Sequence, residues 1–158
     1  MSRAESVFLR RDEPPCRRHT VVAKRSAKSE SARGLAIEAA RIAQHDNAEE
    51  IVVLNLKAMS QVTDYFVICT GTSNRQMRTV AEDVIRYARS IGQSVFRVAG
   101  IDGGDWIVLD FVDVVVHIFD ESHRRYYDLE LIWGEAPHVR WRGPAQAVKA
   151  KTASSDEN

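Results

Sequence analysis

The chain has 158 residues, of which 44% are hydrophobic and 28% charged, and its 22 basic residues balance 22 acidic ones. That length supports one domain with a real core and is too short for two, and the composition excludes a disordered or fibrous protein. A net charge of zero excludes nucleic-acid binding by bulk electrostatics while leaving open contact with a single charged protein patch.

Residues 1–30 read as a disordered basic N-terminal extension. They hold Pro14 and Pro15, a Ser-rich stretch from Ser26 to Ser31 at its end, and eight basic residues against four acidic. Such a composition predicts a solvated tail, and the sharper alternative is an arm that touches RNA. The segment lacks the apolar h-region of a secretory signal, and Glu5, Asp12 and Glu13 argue against an organelle transit peptide. No apolar run approaches the ~20 residues that span a bilayer. A cytoplasmic protein without membrane contact is therefore expected.

The domain is expected over 31–137. "SARGLAIEAARIAQHD" (31–46) repeats apolar residues at Leu35, Ala39, Ile42 and Ala43, a helical stripe. "EIVVLNL" (50–56) and "DYFVICT" (64–70) read as strands. The second holds Cys69, which with Cys16 forms no C-x-x-C; a buried free thiol in a reducing compartment fits. "SNRQMRTVAEDVIRYARSIG" (73–92) is the clearest helix. Ser73 and Gln76 form a capping box at its start, and Gly92 closes its end.

"SVFRVA" (94–99) predicts a third strand and "GIDGG" (100–104) a turn. "DWIVLDF" (105–111) and "DVVVHIF" (113–119) leave almost no room between them and so predict an antiparallel hairpin. "ESHRRYYDLELIW" (121–133) predicts a final helix stopped by Gly134, and 138–158 reads as a polar C-terminal tail, with Trp141 as its one candidate for docking back. The order α β β α β β β α predicts an α/β fold with a single mixed five-stranded sheet and packed helices.

Three groups could carry chemistry. His117 lies in the apolar run "VVVHIF" (114–119). A Ser73, His117, Asp110 triad has no motif behind it, and the H-x₅-H spacing of His117 and His123 lacks the nearby C-x₂₋₄-C that would complete a zinc site. What remains is a histidine satisfied in the core or set on a partly apolar surface. Gly71 and Ser73, in a turn between a strand and a helix N-terminus, form a candidate anion turn. A nucleotidyltransferase would also need clustered carboxylates, and "SVFRVA" has none. Finally, Trp106 and the acids Asp105, Asp110, Asp113, Asp120 and Glu121 accompany Arg124, Arg125, Tyr126 and Tyr127, a combination that suits a protein-binding patch.

At these residues the chain resembles the ribosomal silencing factor (RsfS, or Iojap-like) family. The resemblance runs from about Leu35 to Pro137 and rests on "DYFVICTGTSNRQ" followed by "GDWIVLDFVDVVVHIFDESHRRYYDLELIWGEAP". It implies a nucleotidyltransferase-like α/β fold that is not an enzyme and takes no cofactor and no metal. It implies binding to the large ribosomal subunit through one of its proteins, the fourteenth, on the face that meets the small subunit. Occupying that face blocks subunit joining and slows translation when nutrients are scarce. It further implies a homodimer of the free protein, no sequence-specific nucleic acid, and, from organelle relatives, an alternative role in large-subunit assembly. A nucleotide-binding enzyme using the Gly71–Ser73 turn is the other alternative. Under the resemblance, Trp106, Asp110, His117, Asp120, Glu121, Arg125 and Tyr127 become the candidate partner-binding residues, with Trp106 and Tyr127 as apolar anchors.

Overall fold

The computed structural model describes residues 18–143. Helix α1 (Arg18–His45) leads into β1 (Glu49–Asn55) and β2 (Tyr65–Thr70). Helix α2 (Asn74–Ser90), β3 (Arg97–Ala99), β4 (Trp106–Asp110) and β5 (Val114–Phe119) follow, and the short helices α3 (Glu121–Tyr127) and α4 (Leu129–Ile132) come last. The five strands form one sheet in the order β1-β2-β5-β4-β3. β2 and β5 run parallel, and the other neighbours are antiparallel. The mixed α/β sheet read from the sequence is the one observed.

The two faces of the sheet differ. Alternating side chains send Val53, Val67, Cys69, Ile107, Leu109, Val116 and Ile118 to one face, where α1 and α2 bury them. The apolar stripe of α2, Met77, Val80, Ala81, Val84 and Ala88, packs there. The other face carries Leu54, Ile68 and Phe119, with Phe66, Trp106, Leu129 and Trp133 partly buried around them. Among the described residues only the short α3–α4 pair and the segment after it cover this second face, and they leave its rim open.

Local signals place the ends of α2. The Ser73 hydroxyl accepts the Gln76 N–H at 3.2 Å. At the other end Gly92, at φ +75°, and Gln93 donate to the Arg89 and Ala88 carbonyls, a Schellman closure that a left-handed glycine permits. Gln76 departs from the capping box. Its side chain accepts from the Thr72 N–H at 2.6 Å and donates to the carbonyls of Asp46 and Asn47, tying α2 to the loop after α1.

Four boundaries differ from the sequence reading. The extension expected to be disordered through residue 30 is helical from Arg18, because no Pro or Gly interrupts 18–33 after Pro15; residues 1–17 lie outside the described ones. The strand expected at 94–99 is regular only over 97–99, at the sheet edge. The single helix expected over 121–133 breaks at Asp128, whose left-handed backbone (φ 40°) ends α3 while its carboxylate caps α4 at the Leu131 N–H. The tail expected from 138 begins later: His138 bridges Leu54, Val139 donates to the Val53 carbonyl at 2.8 Å, and Trp141 is buried. Those residues cover the outer edge of β1, which would otherwise present unpaired backbone groups. Residues 144–158 lie outside the described ones.

Candidate functional site

The second face of the sheet holds a continuous row of rings. Trp133 meets Phe66 edge-on at 5.7 Å, and Phe66 meets His117 edge-on at 4.7 Å. Trp106 stacks on Phe119 at 4.9 Å and contacts Tyr127 at 4.6 Å. Tyr126 meets Tyr127 edge-on at 5.1 Å. Strand register builds this row: Trp106 on β4 faces Phe119 on β5, and Val108 faces His117. Offset and edge-on contacts are the arrangements that aromatic quadrupoles favour.

His117 lies under the row, only 7% exposed. The Trp106 indole N–H donates to its Nδ1 at 3.2 Å, so the proton of the neutral ring sits on Nε2. Nε2 is buried with no hydrogen-bond partner. Burial pushes the His117 pKa down to about 4, so the ring is neutral at pH 7. Its buried Nδ1 is already engaged, and the ring supports Trp106 from below. Of the two readings left open by the sequence, the surface one does not fit: His117 is buried, with Nδ1 engaged by Trp106 and Nε2 without a partner among the described residues. Trp106 itself is half-buried, while Tyr127 is 39% exposed and Tyr126 80%.

The acids divide. Asp120 and Glu121 sit where β5 enters α3, beside Trp106 and Tyr127. Asp110 lies at the far end of β4, about 13 Å away at ~3.3 Å per residue. There its carboxylate accepts the Val112 N–H at 2.7 Å and shapes the β4–β5 turn. Asp110 therefore does not join the acids that flank Trp106. Partial desolvation works to raise the Asp120 pKa, but hydrogen bonds from the His123 backbone and ring and from the Ser122 hydroxyl outweigh it and hold the carboxyl below its ordinary value. Glu121 and Arg125 pair one turn apart on α3, both well exposed.

A cleft of about 610 Å³ opens at the C-terminal ends of the parallel strands β2 and β5. Four carboxylates line it, Glu49, Glu50, Asp120 and Glu121, with Gly71, Thr72 and Arg125. Gly71 of the candidate anion turn lies in this wall, and three of the amides around the turn are committed. The Gly71 N–H donates to the Phe119 carbonyl, that of Thr72 to Gln76, and that of Gln76 to Ser73. Gly71 is required by packing rather than by φ: a Cβ there would meet Met77 Cγ at 2.2 Å. A wall with four carboxylates disfavours a polyphosphate. Asp105, Asp120 and His123 bring ligand atoms within 4.8 Å of one another, yet Asp120 already caps α3 and contacts the His123 ring at 2.8 Å.

Beneath the cleft lies a residue whose role the sequence conceals. Arg124 is 8% exposed and makes five polar contacts. It donates to the Glu50 carbonyl and Thr70 Oγ1, and it forks onto both oxygens of Glu130 at 3.2 and 2.9 Å. Glu50, at φ +46° within an irregularity of β1, directs its carbonyl to that guanidinium. Arg124 thus fastens α3 and α4 to β1 and β2. The Arg124–Glu130 pair spans the break at Asp128, which no helical spacing would suggest. Leu131 and Ile132 beside it are exposed.

The chain thus forms an α/β sheet with one face sealed by helices and the other ending in an aromatic row beside an acidic rim. The chain belongs to the ribosomal silencing factor family: the family model described as "Ribosomal silencing factor during starvation" matches residues 29–158. The ribosomal silencing factor of Halalkalibacterium halodurans is 40% identical over 96 residues, 61% of this chain and 82% of that protein. A mouse protein named for mitochondrial assembly of the ribosomal large subunit is 29% identical over 93 residues, 57% of this chain and 41% of its own length. A crystal structure of a Chromobacterium violaceum protein superposes with a TM-score of 0.60 at 30% identity, over 66% of this chain and 85% of that one. Family membership makes this chain a ribosome-associated regulator of translation. No helix among the described residues is long and apolar enough to cross a membrane.

Proposed function

We propose that this protein binds the large ribosomal subunit through its fourteenth protein and sterically blocks joining of the small subunit, slowing translation in the cytoplasm when nutrients are limiting. Membership in the ribosomal silencing factor family carries this reading. The docking surface is the open rim of the second sheet face: Tyr127 and the edge of Trp106, the exposed Tyr126, Leu131 and Ile132, and the flanking charges of Asp120, Glu121 and Arg125. His117 acts beneath it by holding Trp106. The mechanism needs no turnover, since a standard interface of ~800 Å² per partner suffices to exclude a competing subunit. The acids guide encounter with a basic ribosomal surface, and the free protein pairs with a second copy through the same apolar rim. The name of the mouse relative supports a second reading, assembly of the large subunit.

Sucrose-gradient sedimentation of purified subunits with and without the protein tests this. Co-migration with the large subunit and a smaller joined peak are expected. Trp106→Ala is expected to weaken co-migration at least tenfold while circular dichroism stays unchanged. Unimpaired joining in the presence of saturating protein would remove the blocking mechanism.

A further inference from the structure

The end of the sheet that holds the β4–β5 turn carries apolar side chains that stand open among the described residues. Phe96, just before β3, is 74% exposed, Val112 in the turn 49% and Val98 on β3 36%. The Phe96 N–H donates to the Asp110 carbonyl at 2.7 Å, which sets Phe96 beside that turn. Val112 is β-branched and yet adopts φ +73°, a left-handed conformation that is costly for such a residue. The Asp110 carboxylate holds it there by accepting its N–H. Next to these side chains a groove of about 380 Å³ separates Ala32 of α1 from Phe111 and Val112 of the turn. The Lys28–Asp113 ion pair and a bond from Gln93 Nε2 to Ser31 Oγ at 2.7 Å link its walls. β3 is the outermost strand on this side, and among the described residues none pairs with its free edge, whereas 138 and 139 cover the edge of β1. An apolar free edge invites an added strand.

We propose that Val7, Phe8 and Leu9 of this same chain cover the patch, as a strand added along the free edge of β3. Outside the described residues they form the only run of three consecutive apolar residues. Their tether also starts at the right place. Lys28 holds α1 against the β4–β5 turn, and the helix begins at Arg18, about 21 Å before the buried Ala32 at 1.5 Å of rise per residue. The chain from Leu9 to Arg18 reaches about 30 Å when extended, which is enough to return that distance. Pro14 and Pro15 lie between, where the backbone turns more readily than it continues a helix. Burying Val7 and Phe8 against Phe96 and Val112 offsets the entropy of ordering the segment. This contact holds whether or not the rim around Trp106 docks on the ribosome.

Amide hydrogen exchange of the full-length chain, read by mass spectrometry, tests this. Residues 6–10 should exchange slower than a free peptide of the same sequence by about tenfold or more. In a variant carrying Val7→Asp and Phe8→Asp, residues 6–10 and 94–99 should both exchange faster, while 64–70 in β2 stay unchanged. Phe96→Asp, at an exposed position, should release 6–10 to the same extent. Exchange of 6–10 at the free-peptide rate in the wild-type chain would overturn the proposal. So would a Val7→Asp, Phe8→Asp variant whose residues 94–99 exchange as in the wild type, because the segment would then lie elsewhere. Protection that fades on dilution would assign the patch to a second copy and overturn it as well.

Discussion

His117 shows how one residue's meaning depends on what surrounds it. In the sequence it is a titratable ring in an apolar run, and catalyst, metal ligand and core residue all fit. In the fold the Trp106 indole occupies Nδ1, and burial holds the pKa near 4. In the unfolded chain the imidazole titrates near 6.5. Between those values only the unfolded state binds the extra proton, so stability falls as pH drops from about 6.5 to about 4. The loss from this group is about 3 kcal/mol. His117→Gln removes the titration, and urea denaturation of the variant should show a flatter stability profile across that window. Cys69 is read more easily. It sits in an apolar strand, and full burial raises its thiol to about 12. It should resist a thiol reagent at pH 8 in the native protein and react on denaturation.

Among the elements, α2 was legible because its apolar period, its Ser73 cap and its Gly92 terminus agree. The strands were legible because β2, β4 and β5 are apolar runs of strand length. The α3–α4 break was not. "ESHRRYYDLELIW" satisfies a helical pattern throughout, whereas in the fold Asp128 is left-handed and Arg124 and Glu130 pair across it. Arg124→Ala leaves the Glu50 carbonyl and Thr70 hydroxyl without their donor and should destabilise by about 3 kcal/mol. Glu130→Gln, at a partly exposed partner, should cost about 1 kcal/mol. Chemical denaturation of the two variants separates these values. Unequal losses of this kind would identify the guanidinium, more than the ion pair, as what fixes the presented surface.

Across the whole molecule, the sheet divides labour between its faces. One is closed by α1 and α2 and supplies most of the core, and the other exposes Tyr126, Leu131 and Ile132 around a row of rings. If that rim serves both self-association and docking, the two compete. Leu131→Ser together with Ile132→Ser should weaken the free dimer in sedimentation equilibrium and lower large-subunit binding in parallel. Circular dichroism should be unchanged, because both side chains are exposed. A variant that loses only one of these properties would assign them to separate surfaces.

The sequence by itself determined the order of the main elements, the β4–β5 hairpin, the mixed α/β class and the residues that mark the family. Each rests on local periodicity, caps and turn chemistry, which act over a few residues. Only the tertiary structure decided which acids flank Trp106, that His117 lies beneath the surface, that Arg124 is buried, and that 138–141 complete the sheet edge. Those outcomes depend on strand order and on contacts between residues dozens of positions apart, such as Arg124 with Glu50 and Thr70. No local pattern encodes them, because the burial and pairing that set their energies exist only once the sheet has assembled.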